Sequence, residues 1–219
     1  MIHMRSVYVW WVIGLILVVA VFGMVYRQQR TDDLFPTHPQ GVIMNRMEAS
    51  AFVLTSPAFA DGATIPSQYT CDGERGLSPT LAITGMPENA RSLTLIMDDP
   101  DVPKSLRADG VFDHWVLFNI PPDTMRIPEG ATSDYDDLRG EAVAFGTPGA
   151  NSAGRNAYTG PCPPPQYEPS EHRYFFRLYA LDTTLSLQEG ATRTEVEQAM
   201  EGHVIETAEL MGRYRRVAQ

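Results

Sequence analysis

Apolar and polar positions divide this chain into three stretches of different texture. Val7 to Val25 is nineteen consecutive uncharged residues, VYVWWVIGLILVVAVFGMV. At about 1.5 Å per residue a helix of that length spans roughly 28 Å, close to the hydrocarbon core of a bilayer. Tyr8, Trp10 and Trp11 gather at one end and Tyr26 at the other, as an interfacial belt would. A cleaved signal peptide is the competing reading, with Arg5 as its n-region and Val18-Val19-Ala20 as its cleavage site. The apolar run continues past that site through Phe22 and Val25, longer than the usual h-region of about 7–15 residues. The pattern therefore predicts an uncleaved single-pass anchor over residues 1–26. Arg5 on one side is set against Arg27 and Arg30 on the other, so the positive-inside count leaves orientation open; the lean is N-terminus in, domain out.

Residues 27–50 keep no period of 3.6 or 2. They mix charges with Gln, Pro36, Pro39 and Gly41, and predict a linker. From residue 51 the texture changes again. Short runs rich in β-branched and aromatic residues recur at Ala51–Leu54, Thr80–Thr84, Ser92–Met97, His114–Ile120 and Arg173–Leu181. Gly85-Met86-Pro87, Asp99-Pro100, Pro121-Pro122 and a Gly/Pro-rich span from Gly146 to Pro165 separate them. Strands joined without intervening helical patterns predict an all-β domain over 51–219, an antiparallel sandwich or barrel. One helix has a clear start. Thr192-Arg193-Thr194-Glu195 fits a capping box, Val196 and Met200 lie one turn apart, and Gly202 is placed to end it. His203 to Tyr214 can return as a last strand.

Charge narrows the partners. With 17 basic and 27 acidic side chains the formal charge is −10, and the only dense basic group is Arg213, Arg215 and Arg216. Such a surface repels a phosphodiester backbone, so nucleic acid is excluded as a partner. Residues 1–49 hold four bases and three acids, so the remainder is slightly more acidic than the whole. Two cysteines cannot staple a mini-fold, and a chain of this length needs no such framework.

Candidate chemistry collects at strand ends. Leu95-Ile96-Met97 runs into Asp98-Asp99-Pro100-Asp101-Val102-Pro103, where proline geometry holds Asp99 rigidly at the point the strand stops. A solvated acidic turn is the plain reading. Calcium is disfavoured because the Gly and terminal Glu of an EF-hand loop are missing. In Phe112-Asp113-His114-Trp115-Val116, alternation places His114 with Val116 and Phe118 on one face and Trp115 with Leu117 on the other. In His172-Arg173-Tyr174-Phe175-Phe176-Arg177-Leu178 an imidazole and a phenol share a face above an apolar floor, and Arg173 and Arg177 share the opposite one. Gly160-Pro161-Cys162-Pro163-Pro164-Pro165 makes a stiff loop, either a surface polyproline segment that meets a partner or the wall of a site.

These motifs occur in one order. Tyr69-Thr70-Cys71-Asp72-Gly73, Asp99-Pro100-Asp101-x-Pro103, His114-Trp115, Asn119-Ile120-Pro121, Gly160-Pro161-Cys162-Pro163-Pro164 and His172-Arg173-Tyr174 together closely resemble the phosphatidylethanolamine-binding protein family, in its bacterial and archaeal Raf-kinase-inhibitor-like branch. The resemblance covers roughly residues 51–216. It implies a β-sandwich with a central antiparallel sheet and, at one end, a small anion pocket for phosphate-like groups, phospholipid headgroups included; the short C-terminal helix is the one started at Thr192. Carried over, Asp99 is the pocket acid, Asp101 shapes its loop, His114 is the strand histidine, His172 and Tyr174 come from the His-Arg-Tyr motif, and Gly160 and Pro161 lie on the lining loop. Three departures concern the lid. Lys104–Asp113 offers no counterpart to the tyrosine of animal members, no flanking helix follows Tyr214, and Ala153 stands where bacterial relatives carry an aromatic.

The resemblance implies two histidines and a tyrosine hydroxyl donating to phosphate oxygens, with Asp99 orienting one imidazole and raising its pKa. Binding should then weaken as pH rises past the histidine range. A transition metal on His114, His172 and Asp99 is the rival reading. Cys71 and Cys162 fall in motifs that flank the pocket, either as two buried thiols or as a disulfide of an oxidising compartment. No Gly-x-Ser-x-Gly elbow, His-Glu-x-x-His or P-loop occurs. The expectation is a non-enzymatic binder of phosphorylated headgroups or small anions, without cofactor or metal. It would be tethered through residues 7–25 to an inner or plasma membrane, with its domain periplasmic or extracytoplasmic. The alternatives are an inhibitor or scaffold acting on a kinase or protease by protein contact and, ranked lower, a phosphoester hydrolase.

Overall fold

A computed structural model describes residues 51–73, 77–131 and 145–216 of the chain. The expected anchor over 1–26 and linker over 27–50 lie outside the described residues. Within them, no helix is long and apolar enough to cross a membrane.

The strands are β1 (Val53–Thr55), β2 (Leu81–Thr84), β3 (Ser92–Asp99), β4 (Phe112–Ile120), β5 (Arg126–Ile127), β6 (Thr147–Gly149), β7 (Glu171–Leu181) and β8 (Val204–Arg215), with one helix, α1 (Arg193–Met200), before the last strand. They form two antiparallel sheets, a five-stranded one ordered β6-β4-β3-β7-β8 and a three-stranded one ordered β1-β2-β5. The predicted strands are all present, with their ends shifted by at most two residues. The chain also contains β5 and β6, two and three residues long, which the hydrophobic pattern did not predict. β6 lies inside the span read as unbroken loop. Its Pro148 is tolerated because β6 is the edge strand of its sheet.

All eight residues of β3 are buried, because the central strand is covered on both faces. Leu93, Leu95 and Met97 meet Trp115, Leu117, Phe176 and Leu178 in the core shared with Leu54, Leu81 and Ile83 of the smaller sheet. Ile96, Val116 and Phe118 face the other way and pack with Leu185, Val196 and Met200. Each large apolar side chain buried this way contributes about 1.5–3 kcal/mol relative to exposure. The helix that covers this second face starts as its sequence predicts. Thr192 accepts from the Glu195 backbone, and the Glu195 carboxylate accepts from the Thr192 backbone at 2.8 Å.

Two ties hold the ends of these elements. Asn119, near the end of β4, has φ 54°, a left-handed conformation that asparagine tolerates. Its amide donates to the Leu185 carbonyl at 2.9 Å and accepts from the Leu185 N–H at 2.8 Å, which accounts structurally for the asparagine of Asn119-Ile120-Pro121. The second tie is covalent: Cys71 and Cys162 are joined in a disulfide with their Cα atoms 5.3 Å apart. Of the two states the sequence left open, the bonded one is found.

Candidate functional site

The site is built where β3, β4 and β7 end side by side. Asp99 is the last residue of β3, and Pro100 ends the strand beyond it. The Asp99 carboxylate is buried, at 3% exposure. Its Oδ1 accepts the Asp101 backbone N–H at 2.9 Å, closing the turn, and its Oδ2 lies 2.6 Å from His172 Nδ1. Asp101 points outward and is clamped by Arg173, whose backbone N–H, Nε and guanidinium NH₂ approach at 2.9, 2.8 and 2.6 Å. The Arg173 hydrogen bonds hold the Asp101 carboxyl below its usual range. Asp101 thus fixes the loop, as the sequence implied, and does not line the cavity.

His114 occupies a position that strict alternation misplaced. Met97 pairs with Trp115 and Asp98 with Asp113, so the β3–β4 register skips His114. A β-bulge inserts one unpaired residue and re-aims its side chain. In consequence His114 does not join Val116 and Phe118 under the helix. It turns to the other side of the sheet, where its ring meets Tyr174 edge-on with centroids 5.2 Å apart and Phe112 at 4.8 Å. His114 Nδ1 lies 2.7 Å from the Thr159 carbonyl, and the Thr159 N–H returns to the His114 carbonyl at 2.9 Å. Thr159 is held in turn by Asn151, whose amide reaches the Ala157 carbonyl at 2.6 Å and the Thr159 hydroxyl at 2.8 Å.

His172 and Tyr174 share a face of β7, as the unbroken alternation predicts, and their rings stack at 6.5 Å. Tyr174 is fully buried in the main core, behind the imidazoles. Burial, then the charge of Asp99, pushes its hydroxyl pKa up, so the phenol keeps its proton. The buried Tyr174 hydroxyl and His172 Nε2 make no well-formed hydrogen bond among the described residues, although Asp99 lies close to the hydroxyl of the first ring and the Pro169 backbone close to the second ring.

Together Asp99, His114 and His172 line a cavity of about 320 Å³. Thr159, Gly160 and Cys162 form one wall with Pro163 and Pro164, and Val102, Leu106, Arg107 and Phe112 form the other. Of the residues inferred for the pocket, the structure brings Asp99, His114, His172 and Gly160 to this cavity. Pro161 stands behind the wall, its carbonyl accepting from Cys71 N–H at 3.0 Å. Gly160 passes so near the 69–70 backbone that an added Cβ would lie 2.9 Å from Thr70 and the Tyr69 carbonyl, hence a glycine there. The wall residues Leu106, Arg107 and Phe112 come from the stretch 104–113 that offered no tyrosine. Sequence reasoning passed over them, although a bulky residue at Phe112, two before a strand histidine, was a usable signal. The Thr159 carbonyl was also missed, since a backbone acceptor leaves no mark in composition.

The electrostatics separate the two imidazoles. Burial pushes the His114 pKa below the ordinary histidine value, against the Thr159 carbonyl and the charges of Asp99, Asp113 and Asp98. The carboxylate charges near His114 therefore do not offset its burial. Burial pulls on His172 too, but the hydrogen bond to Asp99 and the charges of Asp99 and Asp101 outweigh it, and its pKa is raised. As for a metal, both Nδ1 atoms and both Asp99 oxygens are already committed. Among the described residues no group of three or more His, Cys, Asp or Glu side chains is arranged to hold an ion.

Comparison with known proteins agrees with this architecture. A sequence profile of the family described as phosphatidylethanolamine-binding protein matches residues 55–215. The chain belongs to the phosphatidylethanolamine-binding protein family. It is 45% identical over 163 residues to a UPF0098 protein of Chlamydia pneumoniae, covering 74% of this chain and 98% of that protein. It is 49% identical to a UPF0098 protein of Methanothermobacter thermautotrophicus, with the same coverage. Among solved structures it is similar to a phosphatidylethanolamine-binding protein homolog from Chlamydia trachomatis, with TM-score 0.67 and 44% identity over 76% of this chain and 99% of that one. It is also similar to YbcL of Escherichia coli, a member of the mammalian family, with TM-score 0.64 and 26% identity over the same shares.

Proposed function

We propose that this member of the phosphatidylethanolamine-binding protein family is a non-enzymatic binding domain for phosphate-bearing headgroups or small oxyanions, held near a membrane by residues 7–25. The observation that carries the reading is a cavity lined by two imidazoles, His114 and His172, the second of them paired with the buried Asp99 carboxylate. A protonated imidazole in such a cavity is the kind of group that forms charge-assisted hydrogen bonds to oxyanion oxygens. The apolar walls suit a ligand whose charge is confined to one end.

The absence of turnover in this proposal rests on what the cavity offers a reaction. Cys162 is bonded to Cys71, and the Thr159 hydroxyl is already engaged by Asn151 and Arg155. Neither is poised as a nucleophile. The disulfide supports an extracytoplasmic or periplasmic domain, since such bonds persist in oxidising compartments. A protein partner is the second reading, favoured by Leu106, which is 48% exposed beside the cavity.

Calorimetric titration of the full-length chain with phosphoethanolamine tests the proposal. His172→Ala should abolish the binding seen with the unmodified chain. Unchanged affinity in that variant overturns the assignment, and a pull-down partner retained after loss of both histidines would favour the protein-contact reading.

A further inference from the structure

We infer that the cavity takes up one proton as it takes up an oxyanion, and that this proton goes to Nε2 of His114. The inference deepens the proposed function and rests on it.

An oxyanion such as a phosphodiester brings only acceptor oxygens, so the donors along the cavity decide how it is held. Few are free to reach it. Among the described residues the His172 Nε2 and the Tyr174 hydroxyl are occluded. Pro163 and Pro164 on the wall, and Pro161 behind it, have no backbone N–H. Thr159 spends its N–H on the His114 carbonyl at 2.9 Å, and its hydroxyl is engaged by Asn151 and Arg155. Arg107 lies over the Phe112 ring and is held by the exposed Asp109 at 3.4 Å. His114 Nε2 differs from these. It has no partner among the described residues but is not one of their occluded polar atoms, so it opens to the cavity that His114 lines.

Before a ligand arrives that nitrogen carries a lone pair. A carbonyl oxygen only accepts, so the 2.7 Å contact with Thr159 places the proton of the neutral ring on Nδ1. Asn151 and the returned Thr159 N–H fix the segment that bears this carbonyl. Burial opposes a second proton, since His114 is 4% exposed. It outweighs the charges of Asp99 and Asp98 on β3 and of Asp113 on the same strand as His114. From β7, Tyr174 covers the ring without charge, and His172 offsets Asp99 at 2.6 Å. From the loop, Arg155 brings a cation to the Thr159 hydroxyl at 2.9 Å.

An arriving oxyanion reverses this balance. Its acceptor oxygen and the Nε2 lone pair repel each other, while its charge within hydrogen-bond reach favours the imidazolium. A proton from solvent adds to Nε2, and no other covalent bond changes. The ring then donates at both ends, from Nδ1 to Thr159 and from Nε2 to the oxyanion in a charge-assisted bond. His172 adds no second proton, because its bond to Asp99 already favours its charged form.

Calorimetry on the full-length chain tests this at pH ~6.5, between the ranges of the two histidines, with dimethyl phosphate, a probe that has no proton to give. The titration is run in bis-Tris and in imidazole, buffers of unequal ionisation enthalpy that carry no oxyanion of their own. The difference in binding enthalpy should report uptake of about one proton per bound diester. His114→Gln offers an amide N–H that donates without titrating, so the variant should bind about tenfold more weakly and without uptake. In the unmodified chain, imidazole nitrogen NMR should show His114 passing from the neutral Nδ1–H form to the imidazolium as the diester saturates it. That readout needs no variant. Equal binding enthalpy in both buffers, or a His114 ring that stays neutral at saturation, overturns the inference while leaving an oxyanion site standing. So does uptake retained in His114→Gln. Failure of both dimethyl phosphate and phosphoethanolamine to bind overturns the oxyanion reading on which the inference rests.

Discussion

Asp98 and Asp99 are consecutive, both 3% exposed, and occupy opposite faces of the same strand. Asp98 is held on the helix side by Arg177 and by Arg193 at 2.8 Å. Arg193 also bonds Asp113 at 2.9 Å and Glu197 at 2.7 Å, and Arg177 bonds Glu209 at 3.0 Å. That face is fully paired: buried Asp98 has two arginines, and each of these arginines has more than one acid. Across the sheet Asp99 has one imidazole and, among the described residues, no arginine or lysine. The same residue type, buried to the same depth, anchors an arginine network on one side and orients a cavity histidine on the other. Burial does not separate the two roles; the kind of partner does, guanidinium on one face and a titratable imidazole on the other.

The largest effect should come from the cavity side, where the Cys71–Cys162 bond ties the proline wall to the 69–73 turn. The bond closes a sequence separation of 91 residues, worth about 4–5 kcal/mol in the chain-entropy model. Cys71→Ser with Cys162→Ser should lower unfolding free energy by about 4 kcal/mol in denaturant titration. A loss below about 1 kcal/mol would mean that other contacts already constrain the wall.

The contrast between the acids themselves comes next. Asp98→Asn removes the charge shared by two arginines and should cost about 3 kcal/mol, the lower end for breaking a buried pair because both guanidinium groups are about a quarter exposed. Its oxyanion affinity should not change. Asp99→Asn should cost about 1 kcal/mol, since the amide oxygen can still accept from Asp101 N–H and His172 can become neutral. That variant should lose oxyanion binding. Equal stability losses, or binding lost in both, would erase the distinction between the two faces.

How far this division was legible depended on whether a feature is local. The face shared by His172 and Tyr174 follows from an eleven-residue strand with unbroken alternation. The helix start follows from four consecutive residues, and Asp99 from the proline behind it. His114 was placed on the wrong face because its direction is set by a bulge, and a bulge belongs to the pairing of two strands rather than to either sequence. The arginine network was not legible at all. Arg193 and Asp98 are 95 residues apart, and only the packing of α1 on the sheet brings them together. β5 and β6 are too short to carry a period. The ordered motifs still located the cavity, because a family pattern stores the long-range placements that spacing alone cannot express.

The smallest effect, and the most specific to the cavity, is the divergence of its two histidines with pH. His172 has a raised folded pKa, so its contribution to stability is complete below the ordinary value of about 6.5 and is lost as pH rises through the folded value. His114 has a lowered folded pKa, so it favours the folded state above about 6.5, and that advantage falls away as pH drops toward the folded value. The two slopes oppose each other and partly cancel in a bulk stability curve, which is why the curve is the wrong place to look. Histidine ring resonances followed by NMR across the range should titrate on opposite sides of about 6.5, and Asp99→Asn should bring the His172 midpoint down. If both rings titrate above that value, His114 carries charge in the cavity. The two imidazoles would then carry charge alike, and the burial of His114 behind its bulge would make no electrostatic difference to the cavity.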